Sequence, residues 1–329
     1  MATNKLQLVF GGAMISTHNG FDTTEKVQSF LDIIAELGIT TIDTAFIYGD
    51  SEELLGKANA SSRFTIDTKY PGGFLADWST KDKVIEAGQL SLKRLNTDSV
   101  NIYYQHAPEP AVPLEDTLAG VNELYKSGAF KRFGVSNFSA AELEEAIRIC
   151  EARGYVLPTA YQGNYSAFAR RGESDVFPLL RKHGIAFYAY SPSAGGFLGK
   201  KAATLRSGEG AGRWHPENMY GKLYNQLYSK EVLLAGLDDW NAVADAQGVT
   251  GIEMAYRWIT YHSKLDPELG DGVILGARNE DQLREAVAWI KKGPLAEEAA
   301  KKIDAIWEKI AAEAPLDNYH SYFALQPKA

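Results

Sequence analysis

Residues 24–43 read TEKVQSFLDIIAELGITTID, and this stretch decides the architecture. Val27, Phe30, Leu31, Ile34 and Leu37 recur at the spacing that shares one helical face, which predicts an amphipathic helix over 24–37 ended by Gly38. The run Thr41-Ile42-Asp43 then predicts a strand near 40–44 that closes on a carboxylate. The same unit repeats along the chain. Strand-like runs lie near 6–11, 64–69, 100–106, 131–136, 158–163, 185–190 and 272–275. Between them lie helical stretches at 82–95, 114–127, 139–152, 230–247, 251–262, 281–292 and 296–312. Gly128 follows the second of these, and Ser139 with Glu142 three residues on reads as a capping box for the third.

Strands alternating with helices from end to end predict a (β/α)8 TIM barrel, α/β in class, as a single domain over residues 1–329. A doubly wound sheet is the rival. No linker or composition break divides the chain, and no G-x-G-x-x-G follows a strand; residues 208–212 fail the spacing. Residues 194–221 are rich in glycine, carry Lys200, Lys201, Arg206, Arg213 and Trp214, and show no helical period. They are expected to form a long loop that clasps an anionic ligand.

Composition narrows the function classes. Hydrophobic residues make up 45% and charged residues 23%, as in a soluble globular protein. The net charge of −8 argues against a nucleic-acid or anionic-membrane partner. No apolar run approaches the roughly 20 residues of a membrane span. The run Leu6–Phe10 is too short for a secretory leader, so a cytoplasmic setting is expected. Cys150 is the only cysteine and reads as a small core residue. The six histidines show no metal-ligand spacing.

Asp43, Lys69 and His106 each close a strand-like run, and Tyr48 lies five residues past Asp43 in the turn before a helix. Parallel neighbouring strands would gather all four at one mouth. A phenol beside an ammonium, a carboxylate and an imidazole is a proton-transfer site. Each also has an ordinary reading: a helix cap, a rim aromatic, a solvated charge and a core imidazole.

The segment Ile42-Asp43-Thr44-Ala45-Phe46-Ile47-Tyr48-Gly49-Asp50-Ser51-Glu52 resembles the signature of the aldo-keto reductases. The resemblance continues, in order, through Thr68-Lys69, Gln105-His106, Gly134-Val135-Ser136-Asn137-Phe138, Tyr161–Tyr165, Tyr188–Gly196 and Val273–Arg278. The run Tyr161–Tyr165, Gly212-Arg213-Trp214 and the C-terminal aromatics are most similar to the aflatoxin-aldehyde reductase branch.

The resemblance implies NADPH as cofactor and Asp43, Tyr48, Lys69 and His106 as the catalytic tetrad. It implies that the nicotinamide stacks on Tyr190 and that Ser136, Asn137 and Gln162 hold its carboxamide. The pyrophosphate would lie under the loop of Ser191, Pro192, Gly195, Gly196, Leu198 and Lys200. The turn of Gly276, Ala277, Arg278, Gln282 and Glu285 would take the adenosine end, with Arg213 as a second cation for the 2′-phosphate. Phe46, Trp78, Trp214, Tyr220, Tyr319, Tyr322 and Phe323 would line a pocket for a small-molecule carbonyl compound. Two departures stand out. Ala277 and Ala286 replace polar residues common in the adenosine turn. Ala324 follows Phe323 where the branch carries an arginine that helps hold acidic substrates. The implied activity is NADPH-dependent reduction of aldehydes or ketones by a monomer or homodimer. The alternative is an NADPH-sensing regulatory subunit resembling the potassium-channel β-subunits.

Overall fold

The computed structural model describes residues 6–208 and 214–326. Its strands are β1 (Gln7–Gly11), β2 (Thr41–Asp43), β3 (Thr65–Tyr70), β4 (Val100–Gln105), β5 (Phe130–Ser136), β6 (Pro158–Asn164), β7 (Ala186–Tyr190) and β8 (Gly272–Leu275). All pair in parallel and close into a barrel in chain order. The (β/α)8 architecture expected from the alternating pattern is the one observed.

Helices α1 (Thr24–Glu36), α2 (Ser51–Lys57), α3 (Lys81–Leu95), α4 (Leu114–Lys126), α5 (Ala140–Arg153) and α6 (Phe177–His183) follow the first six strands in turn. After β7 come α7 (Ala202–Arg206), α8 (Met219–Tyr228), α9 (Glu231–Gln247) and α10 (Gly251–Tyr261), and after β8 come α11 (Glu280–Lys291) and α12 (Glu297–Ile310). Local chemistry sets their ends. The Thr23 hydroxyl accepts from Lys26 N–H at the start of α1, and Ser139 and Glu142 form the reciprocal capping box at the start of α5. Gly38 and Gly128 adopt left-handed backbone just past α1 and α4, where a side chain would be strained. Among the described residues no helix is long and apolar enough to cross a membrane.

Strand alternation divides the core. Val9, Ile102, Tyr104, Ala160, Ala186, Tyr188 and Ile274 fill the barrel interior, while the larger apolar set packs between strands and helices. Gly134 has no side chain because a Cβ there would stand 2.3 Å from the Tyr104 ring. The parallel register brings strand ends together: Gly11 pairs with Asp43, Asp43 with Asp67, Lys69 with Tyr104, Ser136 with Gln162 and Asn164 with Tyr190.

The stretch 194–221 departs from the expected loop. It holds a 3-10 segment, Ala194–Gly199, then α7 and the start of α8. These pieces are too short for a helical period to show in sequence. Trp214 organises them: it stacks on Phe197 at 5.8 Å and on Tyr224 at 5.4 Å, and its indole N–H donates to Gly195 O at 3.0 Å.

Candidate active site

Strands β2, β3 and β4 deliver three of the four expected residues, and the turn after β2 delivers the fourth. Lys69 is fully buried; its Nζ donates to Asp43 Oδ2 at 2.6 Å and to Thr44 O at 2.7 Å. The same ammonium lies 5.0 Å from the centroid of the half-buried Tyr48 ring. The His106 ring meets Tyr48 edge-on at 5.6 Å. Asp43 Oδ1 accepts from Gln162 Nε2 at 2.9 Å, a bond that reaches from β6. A buried ion pair of this kind fixes geometry, because separating its members would strand a charge in the interior. Burial, and secondarily the Lys69 charge, hold the His106 imidazole well below its usual range. His106 is therefore neutral at physiological pH, and its Nδ1 is buried with no hydrogen-bond partner among the described residues.

The Tyr48 turn is stapled by residues to which sequence reading assigned no role. Thr44 Oγ1 and Ser51 Oγ lie 2.9 Å apart, and Ser51 donates to Gly12 O at 3.0 Å. Thr68 Oγ1 donates to Glu52 Oε1 at 2.6 Å, and Arg94 Nη1 reaches Glu52 Oε2 at 3.4 Å. Burial pushes the Glu52 carboxyl up, against the pull of Thr68, Ser91 and Arg94. Asp50 accepts from the backbone N–H and hydroxyl of Thr17. The available signal was Ser51-Glu52 opening a helix next to a strand-end motif, since polar groups buried there need partners.

Phe74 was also missed. Its ring packs edge-on against His106 at 4.8 Å, Phe323 at 5.0 Å and Tyr319 at 5.4 Å. Gly73 permits this approach: a Cβ there would lie 2.1 Å from Pro108 O and 2.3 Å from the Tyr319 hydroxyl. The C-terminal segment reaches the mouth through Asn318, whose N–H donates to the Tyr190 hydroxyl at 3.2 Å. His320 anchors it, lying 2.8 Å from Asp317 and 3.4 Å from Glu142, and these carboxylates raise its imidazole to about 10.

Next around the mouth, Asn137 Nδ2 donates to His106 O at 2.9 Å and to Ser136 Oγ at 3.1 Å, while Tyr190 OH donates to Asn137 Oδ1 at 2.7 Å. Asn137, Ser191 and Ala194 take left-handed backbone, followed by Gly195 and Gly196. Such conformations are costly for non-glycine residues, and turns of this kind can aim backbone N–H groups at an anion. Pro192 and Leu198 are buried in this turn, and Leu198 O accepts from Trp240 Nε1 at 3.0 Å. Lys200 Nζ sits 5.5 Å from the Trp214 ring centroid.

At the last rim turn, Gly276 has open space where a side chain would stand, and Ala277 is buried. Arg278 and Glu285 are exposed. Arg278 N–H donates to Gln282 Oε1, and Asn279 caps α11 through Gln282 N–H, both at 3.0 Å. Glu280, whose charge would oppose an anion, bonds Arg284 at 2.6 Å. A half-buried aromatic ring, carboxamide side chains, a glycine cradle and an exposed guanidinium at a helix start suit a nicotinamide dinucleotide.

The expected pocket wall is only partly assembled. Trp214 is buried inside the clasp and packs as its core rather than on an open wall. Tyr220 is exposed on the first turn of α8. Phe46 and Trp78 form their own pair at 4.8 Å, flanked by Arg94 and Lys83 respectively. Tyr322 is buried and packs edge-on against Phe323 at 5.0 Å. Arg213 lies outside the described residues.

Residues 7–308 match the model of the aldo/keto reductase family. Relatives include "Oxidoreductase sirO" of Leptosphaeria maculans, 39% identical over 295 residues that cover 89% of each chain. "Aflatoxin B1 aldehyde reductase member 4" of Homo sapiens is 36% identical over 293 residues, covering 85% of this chain and 88% of its own. "Aflatoxin B1 aldehyde reductase member 2" of Mus musculus is 34% identical over 301 residues, covering 88% of this chain and 81% of its own. Family match and barrel agree, and the chain belongs to the aldo/keto reductase family of oxidoreductases.

Proposed function

We propose that the protein reduces aldehydes or ketones to alcohols with NADPH, reversibly. The observation that carries this reading is the Lys69 ammonium, held 2.6 Å from Asp43 and 5.0 Å from the Tyr48 ring. When bound, NADPH supplies hydride to the carbonyl carbon. Tyr48 gives its phenolic proton to the carbonyl oxygen. A free phenol is a poor acid at neutral pH, with a pKa near ~10, and the Lys69 charge stabilises the phenolate left behind. Asp43 keeps that charge in place. His106, neutral through burial, is a poor proton source and instead orients the carbonyl oxygen by a hydrogen bond. Arg278, with Arg213 as a second cation, binds the 2′-phosphate, which selects NADPH over NADH. Phe74, Tyr319 and Phe323 offer an apolar rim that suits an apolar carbonyl compound, and the aldehyde reductases among the relatives point to the same substrate class.

The test is the disappearance of NADPH absorbance with a panel of aromatic and aliphatic aldehydes. Tyr48→Phe is expected to lose about 10²- to 10⁴-fold in kcat. A variant as fast as the parent removes Tyr48 as proton donor.

A further inference from the structure

The barrel interior holds a second acid that the reaction above does not use. Asp67 pairs in register with Asp43 across β2 and β3, and it lies two residues before Lys69, hence on the same face of β3. It is 2% exposed. Its Oδ1 accepts from Asn101 Nδ2 at 2.7 Å and from Ile102 N–H at 3.0 Å. Among the described residues no cation bonds it, because Lys69 is committed to Asp43 and Thr44. Burial and the adjacent Asp43 charge raise the Asp67 carboxyl to about 7, against the pull of Asn101, Ile102 and Lys69.

The neighbours that could share this titration come from several strands. Asp43 faces it from β2, Lys69 from β3, Tyr104 from β4 and Tyr188 from β7. Arg132 of β5 is turned to the Tyr188 hydroxyl at 3.3 Å and to Thr159 O at 2.8 Å. Burial raises both phenols, so Tyr104 and Tyr188 stay protonated near neutral pH. His106 is neutral there as well. Asp67 is thus the group in this set whose charge changes around pH 7.

We propose that Asp67 is a positioning residue for proton transfer, whose ionisation offsets the positive charge that Lys69 presents to Tyr48. The proposal rests on the reading of Tyr48 as proton donor. With Asp67 protonated, Lys69 faces one carboxylate and the Tyr48 phenolate receives its full stabilisation. With Asp67 ionised, Lys69 faces two, and the phenolate is less favoured. Tyr48 then keeps its proton to higher pH than a single interior carboxylate would allow. That keeps the reducing direction supplied with acid under mildly alkaline conditions.

The ligand-free protein tests this. Tyrosinate absorbance is titrated for the wild type and for Asp67→Asn, each against its own Tyr48→Phe counterpart. Asparagine retains an oxygen for both donors but carries no charge. The Tyr48 midpoint is expected to fall in Asp67→Asn, by on the order of one pH unit for a charge removed from the barrel interior. Infrared difference spectra provide a second readout. A carboxyl band is expected to titrate near pH 7 in the wild type, to be missing in Asp67→Asn, and to titrate higher in Asn101→Leu, which loses a donor to the carboxylate. Asn101 is half-buried, so this variant carries the test if Asp67→Asn fails to fold. Equal Tyr48 midpoints in folded wild type and Asp67→Asn overturn the proposal, as does a carboxyl band that Asn101→Leu leaves unmoved. Failure of the reductase reading is distinguishable: Tyr48→Phe would then reduce carbonyls at the parental rate, whatever these titrations show.

Discussion

The two rims of the barrel mouth are built differently. On the β2–β4 side Lys69, Asp43 and His106 are buried on strand ends, and the Tyr48 turn is pinned by Thr44, Ser51 and Glu52. On the β7–β8 side the candidate ligand-binding groups sit on turns: Ser191, Ala194, Gly195 and Gly196 in left-handed backbone, Gly276 beside open space, and Arg278 exposed before α11. The first rim is ordered by strand register before any ligand arrives. The second is shaped by backbone conformation and keeps its charge in solvent. Substitutions on the first rim should therefore damage folding and chemistry together, and those on the second should change ligand affinity alone.

Lys69→Met should show the largest effect. It leaves the Asp43 carboxylate buried without its cation, at a cost of about 3–5 kcal/mol in denaturant unfolding, and it removes the charge that acidifies Tyr48. A variant as stable as the parent would erase the contrast between the rims. Asp67 gives the next largest effect. Its carboxyl is raised to about 7 in the folded protein, so the folded state holds a proton that the unfolded chain releases near ~4. The stability this confers is complete below the unfolded value and is lost as pH rises through about 7, up to roughly 4 kcal/mol across the window. Unfolding midpoints measured from about pH 4 to about pH 8 should fall less steeply in Asp67→Asn than in the wild type. Glu52→Ala leaves Thr68 and Arg94 without their acceptor, and should cost about 1–3 kcal/mol and lower kcat while changing KM for the cofactor little. Arg278→Ala should leave stability unchanged and raise KM for NADPH about tenfold with NADH unaffected, which steady-state kinetics with both cofactors would read. A large loss of stability there would mean that the second rim is also ordered from within.

The contrast also explains what could be read in the sequence. The meeting of Asp43, Lys69 and His106 at one mouth was legible because neighbouring strand ends converge in a parallel barrel, and strand ends are marked by where an apolar run stops. Glu52 stood in the same motif, but its partners Thr68 and Arg94 are supplied by β3 and α3, and no local pattern pairs them. Asp67 sat inside a recognised strand, yet the Asn101 bond that holds it comes from β4. Phe74 follows a glycine pair whose purpose appears only when Pro108 and Tyr319 close against it. Trp214 was expected on a pocket wall among the other aromatics; stacking on Phe197 and Tyr224 buries it instead. Each miss depends on a long-range contact, which composition and period do not encode.

Proton transfer at this mouth turns on whether the Lys69 charge makes Tyr48 acidic. The most direct measurement is the tyrosinate difference titration of the wild type against Tyr48→Phe. The Tyr48 midpoint should lie clearly below the ~10 of a free phenol. A midpoint at or above that value would contradict the assignment of Tyr48 as the proton donor.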